Sequence, residues 1–179
     1  MEKRLWEKCV EKHGHECGGL TIGFKAAQYV MELMDLARDA NGCAVADLVC
    51  VAENQACSVD AIRVALGCTE EKGNLIFHLT GEQAYTLFNR KTREAVRLVL
   101  KDRPAGITRE QSFAYYQSRE PRDMFERQSI PFAMPEIVGK NETCTCSVCG
   151  ETAAMSWFHF VDGQAFCMDC FAEREEEQR

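Results

Sequence analysis

The segment from Cys146 to Cys170 reads CSVCGETAAMSWFHFVDGQAFCMDC and carries a Cys-x-x-Cys pair at each end. Two residues between paired cysteines let both sulfurs reach one ion, and Gly150 permits the tight backbone that follows the first pair. A redox disulfide or ordinary core cysteines are the alternatives, but the separation of the pairs is typical of four-cysteine zinc sites. The segment therefore predicts a structural zinc bound by Cys146, Cys149, Cys167 and Cys170.

The residues between and after the two pairs predict the fold of this zinc module. Strand-like stretches at 155–161 and 165–166 flank the turn Asp162-Gly163, which indicates a β-hairpin. The chain after Cys167 is rich in helix-forming residues. A cysteine pair, a hairpin, and a second pair that opens a helix make up a treble-clef zinc finger.

Eleven cysteines are present, an odd number, and no export signal precedes them. Reduced thiols, some of them metal ligands, are therefore favoured over a disulfide framework. We expect Cys9, Cys43 and Cys50 to be small core residues. Since four ligands complete a tetrahedral structural site, we expect Cys144 and His159 to take no part in it.

The composition is that of a globular protein with an acidic surface. Of the 179 residues 46% are hydrophobic and 27% charged, with a net charge of −7. No apolar run reaches the roughly 20 residues needed to cross a bilayer, and the first residues contain no signal-peptide core. We expect a cytoplasmic protein without membrane contact. Most of the negative charge follows Cys144, which argues against nucleic-acid binding because phosphates require a basic surface.

The remainder of the chain predicts a mixed helix and strand domain. Helices are expected near residues 5–12, 20–40, 59–66, 108–117 and 121–128, and strands near 47–53, 75–80, 84–89 and 95–100. These elements do not alternate regularly, so the predicted fold class is α+β rather than a doubly wound sheet. We assign residues 1–140 to this core and 141–179 to the zinc finger, with Pro131 and Pro135 marking an irregular connector.

The loop His13-Gly14-His15-Glu16-Cys17-Gly18-Gly19 holds three metal-ligating side chains within five positions. In an extended loop alternate side chains point to the same side, so His13, His15 and Cys17 would face one site. Histidine and cysteine suit zinc, nickel, iron or copper, but not magnesium. The glycines are expected to break the helix and to allow a close approach of the backbone. The alternative is that the histidines simply cap a helix.

A second block, ENQACSVDAI at residues 53–62, lies where a buried strand meets the start of a helix. Backbone N–H groups at a helix N-terminus would lower the pKa of the Cys57 thiol. Asp60 could cap that helix or hold a ligating imidazole through its other nitrogen. A lone cysteine is also often a plain core residue, so a core metal site remains one of two open interpretations.

These two blocks, with Gly67-Cys68-Thr69 and Gly73-Asn74-Leu75, closely resemble the formylmethanofuran dehydrogenase E-subunit family. Their order and spacing agree from about residue 5 to residue 100, and some members of the family carry a C-terminal zinc finger. Gly18 departs from the pattern, because the family often has proline there. The departure alters the stiffness of the loop without removing a ligand.

The resemblance implies an α+β core, a homodimer, and a cleft lined by the loop and by the Asn-x-x-Cys segment. By this resemblance, the positions that match functional positions of the family are His13, His15, Cys17, Cys57, Asp60 and Cys68. We expect His15, Cys17 and Cys57 to hold a second transition metal in the core. His13 would be a further ligand or a catalytic acid or base, and Asp60 would assist behind the ligands.

The sequence leaves two functions open. The first is a metal-dependent enzyme or accessory factor in one-carbon metabolism, in which an open coordination position activates water or polarises a carbonyl. The second is a metal- or redox-sensing binding protein whose acidic zinc finger contacts a protein partner. Three protein ligands plus water would favour catalysis, whereas a closed ligand set would favour sensing or storage.

Overall fold

The computed structural model describes residues 3–102, 106–133, 143–154, 157–161 and 163–177, without the side chains of 109, 110, 160 and 175–177. The chain divides into two compact units, Met1–Met134 and Pro135–Arg179, whereas the sequence-based boundary follows residue 140. Helices and strands are mixed in the order of an α+β protein, as predicted. Within the described ranges no helix is both long and apolar enough to cross a membrane.

A five-stranded sheet forms the frame of the N-terminal unit. Its strands are β1 (Leu48–Ala52), β2 (Leu75–Phe77), β3 (Ala84–Asn89), β4 (Glu94–Leu100) and β5 (Phe125–Ser129). Their order is β2-β1-β3-β4-β5, with β1 and β2 parallel and the other pairs antiparallel. The central strand β3 is buried along its whole length, which explains its nearly unbroken apolar sequence.

Five helices pack with this sheet around one hydrophobic core. They are α1 (Lys3–His13), α2 (Gly18–Leu33), α3 (Ser58–Leu66), α4 (Arg109–Gln117) and α5 (Pro121–Met124). Helices and strands both contribute fully buried side chains to the core, among them Leu5, Phe24, Ile62 and Tyr85. As predicted, α3 ends at Gly67, whose left-handed φ of 65° suits a residue without a Cβ.

Glycines on α2 allow this helix to lie unusually close to α3. A Cβ on Gly23 would lie 1.8 Å from the carbonyl oxygen of Ser58, so the backbones could not approach this far with a larger residue. A Cβ on Gly19 would lie 3.0 Å from the Cβ of Cys57. The predicted close approach is therefore confirmed. The predicted helix break at Gly18 and Gly19 is wrong, because both lie in the first turn of α2.

Two further expectations about helices are wrong. The predicted helix 20–40 stops at Leu33, because the chain takes a left-handed conformation at Asp35 (φ 44°) and turns back. The predicted helix 121–128 is helical only in α5, since Phe125–Ser129 forms β5 and pairs with β4. Pairing with the edge of the sheet prevails there over local helix propensity.

Among its described residues, the C-terminal unit contains two short hairpins and a helix. Its elements are β6 (Thr143–Thr145), β7 (Thr152–Ala154), β8 (Phe158–Val161), β9 (Gln164–Cys167) and α6 (Met168–Glu177). The first cysteine pair lies between β6 and β7, and the second runs from the end of β9 into the first turn of α6. This is the predicted treble-clef-like order. Residues 155, 156 and 162 of the predicted hairpin, and Pro135 of the predicted connector, lie outside the described residues.

Candidate metal centres

Cys17 forms the N-cap of α2. Its extended backbone (φ −154°, ψ 165°) closes the short loop after α1, and its sulfur accepts a hydrogen bond from the N–H of Leu20 at 3.3 Å. The loop can be this short because α1 runs to His13 and Gly14 then takes a φ of 93°. The end of one helix and the start of the next thus face each other across the loop, and the N-cap is a cysteine rather than either histidine.

Three side chains of this loop converge on one point. His13, His15 and Cys17 each bring one potential ligand atom to within 4.8 Å of the others. The Nε2 of His13 lies 3.6 Å from the Sγ of Cys17, and the two imidazole centroids are 4.5 Å apart. His13 and Cys17 are half-buried, whereas His15 is exposed. The group therefore opens to solvent on the His15 side.

Asp60 is hydrogen-bonded to the ring nitrogen of His13 that is not the one near Cys17. Its Oδ2 accepts a hydrogen bond from Nδ1 of His13 at 2.8 Å, which leaves the lone pair of His13 on Nε2, the atom near Cys17. Its Oδ1 accepts from Nη1 of Arg63 at 2.7 Å, and Arg63 in turn makes a bidentate ion pair with Glu70. A carboxylate on the second nitrogen of an imidazole is the usual outer contact of a metal-binding histidine. Of the two contacts expected for Asp60, the structure shows the hydrogen bond to an imidazole.

Cys57 approaches Cys17 from the start of α3. The sulfurs of Cys17 and Cys57 lie 3.8 and 3.7 Å from the position that a Cβ on Gly19 would take. Cys57 nevertheless lies outside the group of potential ligand atoms that are all within 4.8 Å of one another. That group contains His13, whereas the predicted ligands were His15, Cys17 and Cys57. Burial, followed by the charge and hydrogen bond of Cys17, raises the pKa of Cys57. The predicted lowering is wrong, because burial and the neighbouring Cys17 outweigh the backbone hydrogen bond that lowers the pKa of Cys57.

Asn54 positions the segment that carries Cys57. Its amide nitrogen donates to the carbonyl of Glu82 at 2.9 Å, and its Oδ1 accepts from the N–H of Ala56 at 3.0 Å. The hydroxyl of Ser58 donates to the same Oδ1 at 3.3 Å. Asn54 was not predicted to be a site residue by itself. The Asn-x-x-Cys spacing was the sequence signal that could have identified it.

Cys68 lies in the hydrophobic core and has no place in the candidate site. Its sulfur is 3.8 Å from the carbonyl oxygens of both Leu48 and Leu66, and burial raises its pKa to about 12. This is a packing role, contrary to the functional role that the family resemblance implies. The three cysteines expected in the core are fully buried or half-buried: Cys9, Cys43 and Cys50.

The second group of potential ligands is the four-cysteine cluster. The sulfurs of Cys146, Cys149, Cys167 and Cys170 all lie within 4.8 Å of one another. Cys149 and Cys167 are 3.7 Å apart at Sγ, and the N–H of Cys167 donates to the sulfur of Cys146 at 3.4 Å. Backbone N–H groups of Cys167, Cys149 and Val148 lower the pKa of Cys146 to about 6. The backbone thus favours a thiolate at this position, which is the form that binds metals.

Cys144 and His159 lie outside this cluster, as expected. The imidazole of His159 stacks on the ring of Phe171, with centroids 4.0 Å apart and an interplanar angle of 15°. Cys144 lies in β6 opposite Ala153 of β7. Cys144 therefore belongs to the β6–β7 hairpin, and His159 packs against α6.

Comparison with known proteins relates the chain to a described family and to two individual proteins. Residues 12–136 match the family described as "FmdE, Molybdenum formylmethanofuran dehydrogenase operon". A probable S-adenosyl-L-methionine-binding protein of Archaeoglobus fulgidus is 27% identical over 124 residues. These cover 69% of this chain but 32% of the relative, so the chain spans about a third of that protein's length.

A solved structure supports the same relationship at the level of the fold. It is a tungsten formylmethanofuran dehydrogenase FmdE-like protein from Syntrophus aciditrophicus, with a TM-score of 0.55 and 22% identity. The alignment covers 94% of this chain and 92% of the other. With a family match over most of the chain, the resemblance drawn from the sequence is confirmed: the protein belongs to the FmdE family.

Proposed function

We propose that this chain binds two metal ions for different purposes. A structural zinc would occupy the four-cysteine cluster, and a transition metal would occupy the loop group of His13, His15 and Cys17. The loop site would make the protein a metal-dependent enzyme or an accessory factor in one-carbon metabolism, in keeping with the family description. The observation that carries this proposal is the convergence of the three loop side chains within 4.8 Å, with His13 held by Asp60.

The donors of the loop group fit a transition metal. Two imidazoles and a thiol suit zinc, nickel, iron or copper, whereas magnesium and calcium require oxygen ligands. Bonds of ~2.0–2.3 Å in a tetrahedral site separate neighbouring ligand atoms by about 3.5 Å. The 3.6 Å between Nε2 of His13 and Sγ of Cys17 agrees with that spacing. Those two atoms are therefore already close to the positions that a shared ion requires.

A metal in this site would supply Lewis acidity, which lowers the pKa of a bound water or polarises a carbonyl. The protein's own side chains would bind the metal and orient its ligands. His13 becomes a ligand through Nε2, and Asp60 acts as a positioning residue because it keeps the proton on Nδ1. The exposed side of the group, at His15, is the route for solvent or substrate. Cys57 places a second thiol beside Cys17.

Metal analysis of the full chain, purified without added metal, tests this assignment. We expect two ions per chain in the wild type, one in His15→Ala, and two in the matched control His78→Ala, whose imidazole lies elsewhere in the same unit. X-ray absorption should show two nitrogens, one sulfur and one oxygen around the ion of the loop site. Two ions in His15→Ala would contradict the assignment, and a second sulfur in place of the oxygen would contradict the open site.

A second candidate function is metal or redox sensing, with the acidic C-terminal unit contacting a protein partner. The observation that favours it is the proximity of the Cys17 and Cys57 thiols. Hydrogen peroxide would take two electrons from this pair, giving one disulfide and two waters. Cys57 would supply one of the two protons required and the solvent the other, because Cys17 binds the metal as a thiolate, and Cys17 would be lost as a ligand. Peroxide should then release the loop metal from the wild type but not from Cys57→Ser at the same dose. Equal release from both proteins would contradict sensing by this pair.

We also propose that the chain forms a homodimer, as the family resemblance implies. Strands β2 and β5 lie at the two edges of the sheet, where backbone groups are available for pairing with a second chain. Light scattering of the full chain measures the oligomeric state, and the mass of a monomer at micromolar concentration would contradict this proposal.

A further inference from the structure

A polar cavity of about 460 Å³ lies in the N-terminal unit, lined by residues of α2, of the turn after it, and of α5. Its volume is in the range of ~300–1,000 Å³ usual for small-molecule sites. At 1.5 Å per helical residue, Lys25 lies about 10 Å along α2 from Gly18, where the metal-binding loop ends. The cavity is therefore separate from the candidate metal centre.

Lys25 is the buried charged residue of this cavity, with 7% of its surface exposed. Its Nζ donates to the carbonyl oxygen of Arg119 at 2.6 Å, and in the part of the chain that the structure describes no carboxylate lies within ion-pairing distance of it. Burial lowers the pKa of Lys25, partly offset by the more distant charge of Glu120. A buried ammonium without a counter-ion is unfavourable, and the cavity beside it has room for a carboxylate.

The outer part of the cavity has the opposite charge. The carboxylates of Glu32, Asp35 and Glu120 lie there, on exposed residues. Arg38 also belongs to the lining, and Arg122 forms an exposed pair with Glu32 at 3.8 Å. Such an exposed pair contributes little, so the acidic side chains remain able to bind a ligand cation.

The two ends of the cavity require opposite charges from one ligand. We propose that it binds a small α-amino acid with an apolar side chain. The carboxylate would pair with Lys25 at the buried end, and the ammonium would lie among the acidic side chains at the outer end. The apolar side chain would pack on Leu36 and Pro121, the half-buried apolar residues of the lining. A simple carboxylate or a simple amine satisfies only one end, so neither should bind as well.

Calorimetric titration of the full chain with L-leucine, acetate and isopentylamine tests the proposal. Leucine should bind, and the two single-charge probes should bind at least about 10-fold more weakly, because each loses a charge-assisted contact. Acetate that binds as tightly as leucine would overturn the proposal in favour of a plain anion site. The absence of leucine binding at millimolar concentration would overturn it as well.

Variants locate the site. Lys25→Met should weaken leucine binding by about 10-fold or more, whereas Lys91→Met, at an exposed turn, should leave it unchanged. Glu120→Gln removes one outer charge at an exposed position, so it tests the ammonium end even if Lys25→Met does not fold. His15→Ala should bind leucine normally, since the metal centre is separate. Unchanged binding in both Lys25→Met and Glu120→Gln would overturn the assignment.

Discussion

The two groups of potential metal ligands use related donors but are held in place differently. In the C-terminal unit the four cysteines lie on short hairpins and on the first turn of one helix, with little else to hold them. In the N-terminal unit the donors lie at the ends of helices that a sheet and a hydrophobic core already fix. A metal should therefore be needed for folding in the first case and only for function in the second.

The largest effect is expected in the C-terminal unit, where a bound metal would stabilise the fold. The double variant Cys149→Ser, Cys170→Ser should lose one zinc per chain, and the C-terminal unit should unfold because metal binding there supplies ~10 kcal/mol or more. The N-terminal unit should keep its helix content and its denaturation midpoint. Limited proteolysis, circular dichroism and metal analysis measure these outcomes. Unchanged zinc content would show that the ion lies elsewhere.

A steric change in the N-terminal unit should have the next largest effect. Gly23→Ala would place a Cβ 1.8 Å from the carbonyl oxygen of Ser58, so α2 and α3 must move apart. We expect a loss of about 3 kcal/mol in the free energy of unfolding, measured by urea denaturation. Gly19→Ala is the matched comparison with a smaller loss, because its neighbour is the side chain of Cys57 rather than backbone. Equal midpoints for Gly23→Ala and the wild type would refute the close contact.

Loss of the support behind His13 should weaken metal binding rather than the fold. Asp60→Asn should lower the affinity of the loop site by about 10- to 100-fold, because the amide no longer fixes the imidazole as a carboxylate does. Competition with a chelator measures this affinity. Asp47→Asn is the control, since that carboxylate pairs with Arg90 at the surface. If both variants bound metal like the wild type, Asp60 would have no positioning role.

The smallest effect concerns thiol reactivity, without a change of fold. Cys68, which burial gives a pKa of about 12, should resist alkylation in the native protein across about pH 5 to 9 and should react only after unfolding. Mass spectrometry of alkylated peptides, with and without denaturant, measures its rate. Alkylation of Cys68 in the native protein at about pH 7 would contradict its burial.

Features that depend on neighbours in the sequence could be predicted. The spacing of Cys146, Cys149, Cys167 and Cys170 is enough to indicate the four-cysteine cluster, because each pair is a local turn. The end of α3 at Gly67 and the bounds of several strands follow in the same way from local backbone preferences. The clustering of the loop side chains also needed only their alternation in one short segment.

Features that depend on distant contacts could not be predicted. Strand β5 exists because β4 offers it an edge, and nothing in the local sequence Phe125–Ser129 reveals that partner. The raised pKa of Cys57 comes from burial and from Cys17, forty positions away in the sequence. The hydrogen bond between His13 and Asp60 joins the end of α1 to α3, and the sequence did not identify His13 as the imidazole that Asp60 holds.

Cys17 starts α2 with the same sulfur that faces His13. When a metal takes the place of the thiol proton, the sulfur becomes a negatively charged acceptor, and its bond from the N–H of Leu20 strengthens. The first turn of α2 should then open less often, and amide hydrogen exchange at Leu20 should slow. Because α2 packs against both α3 and α4, a bound metal would affect more of the protein than its own site. It would do so by reducing how often the first turn of α2 opens.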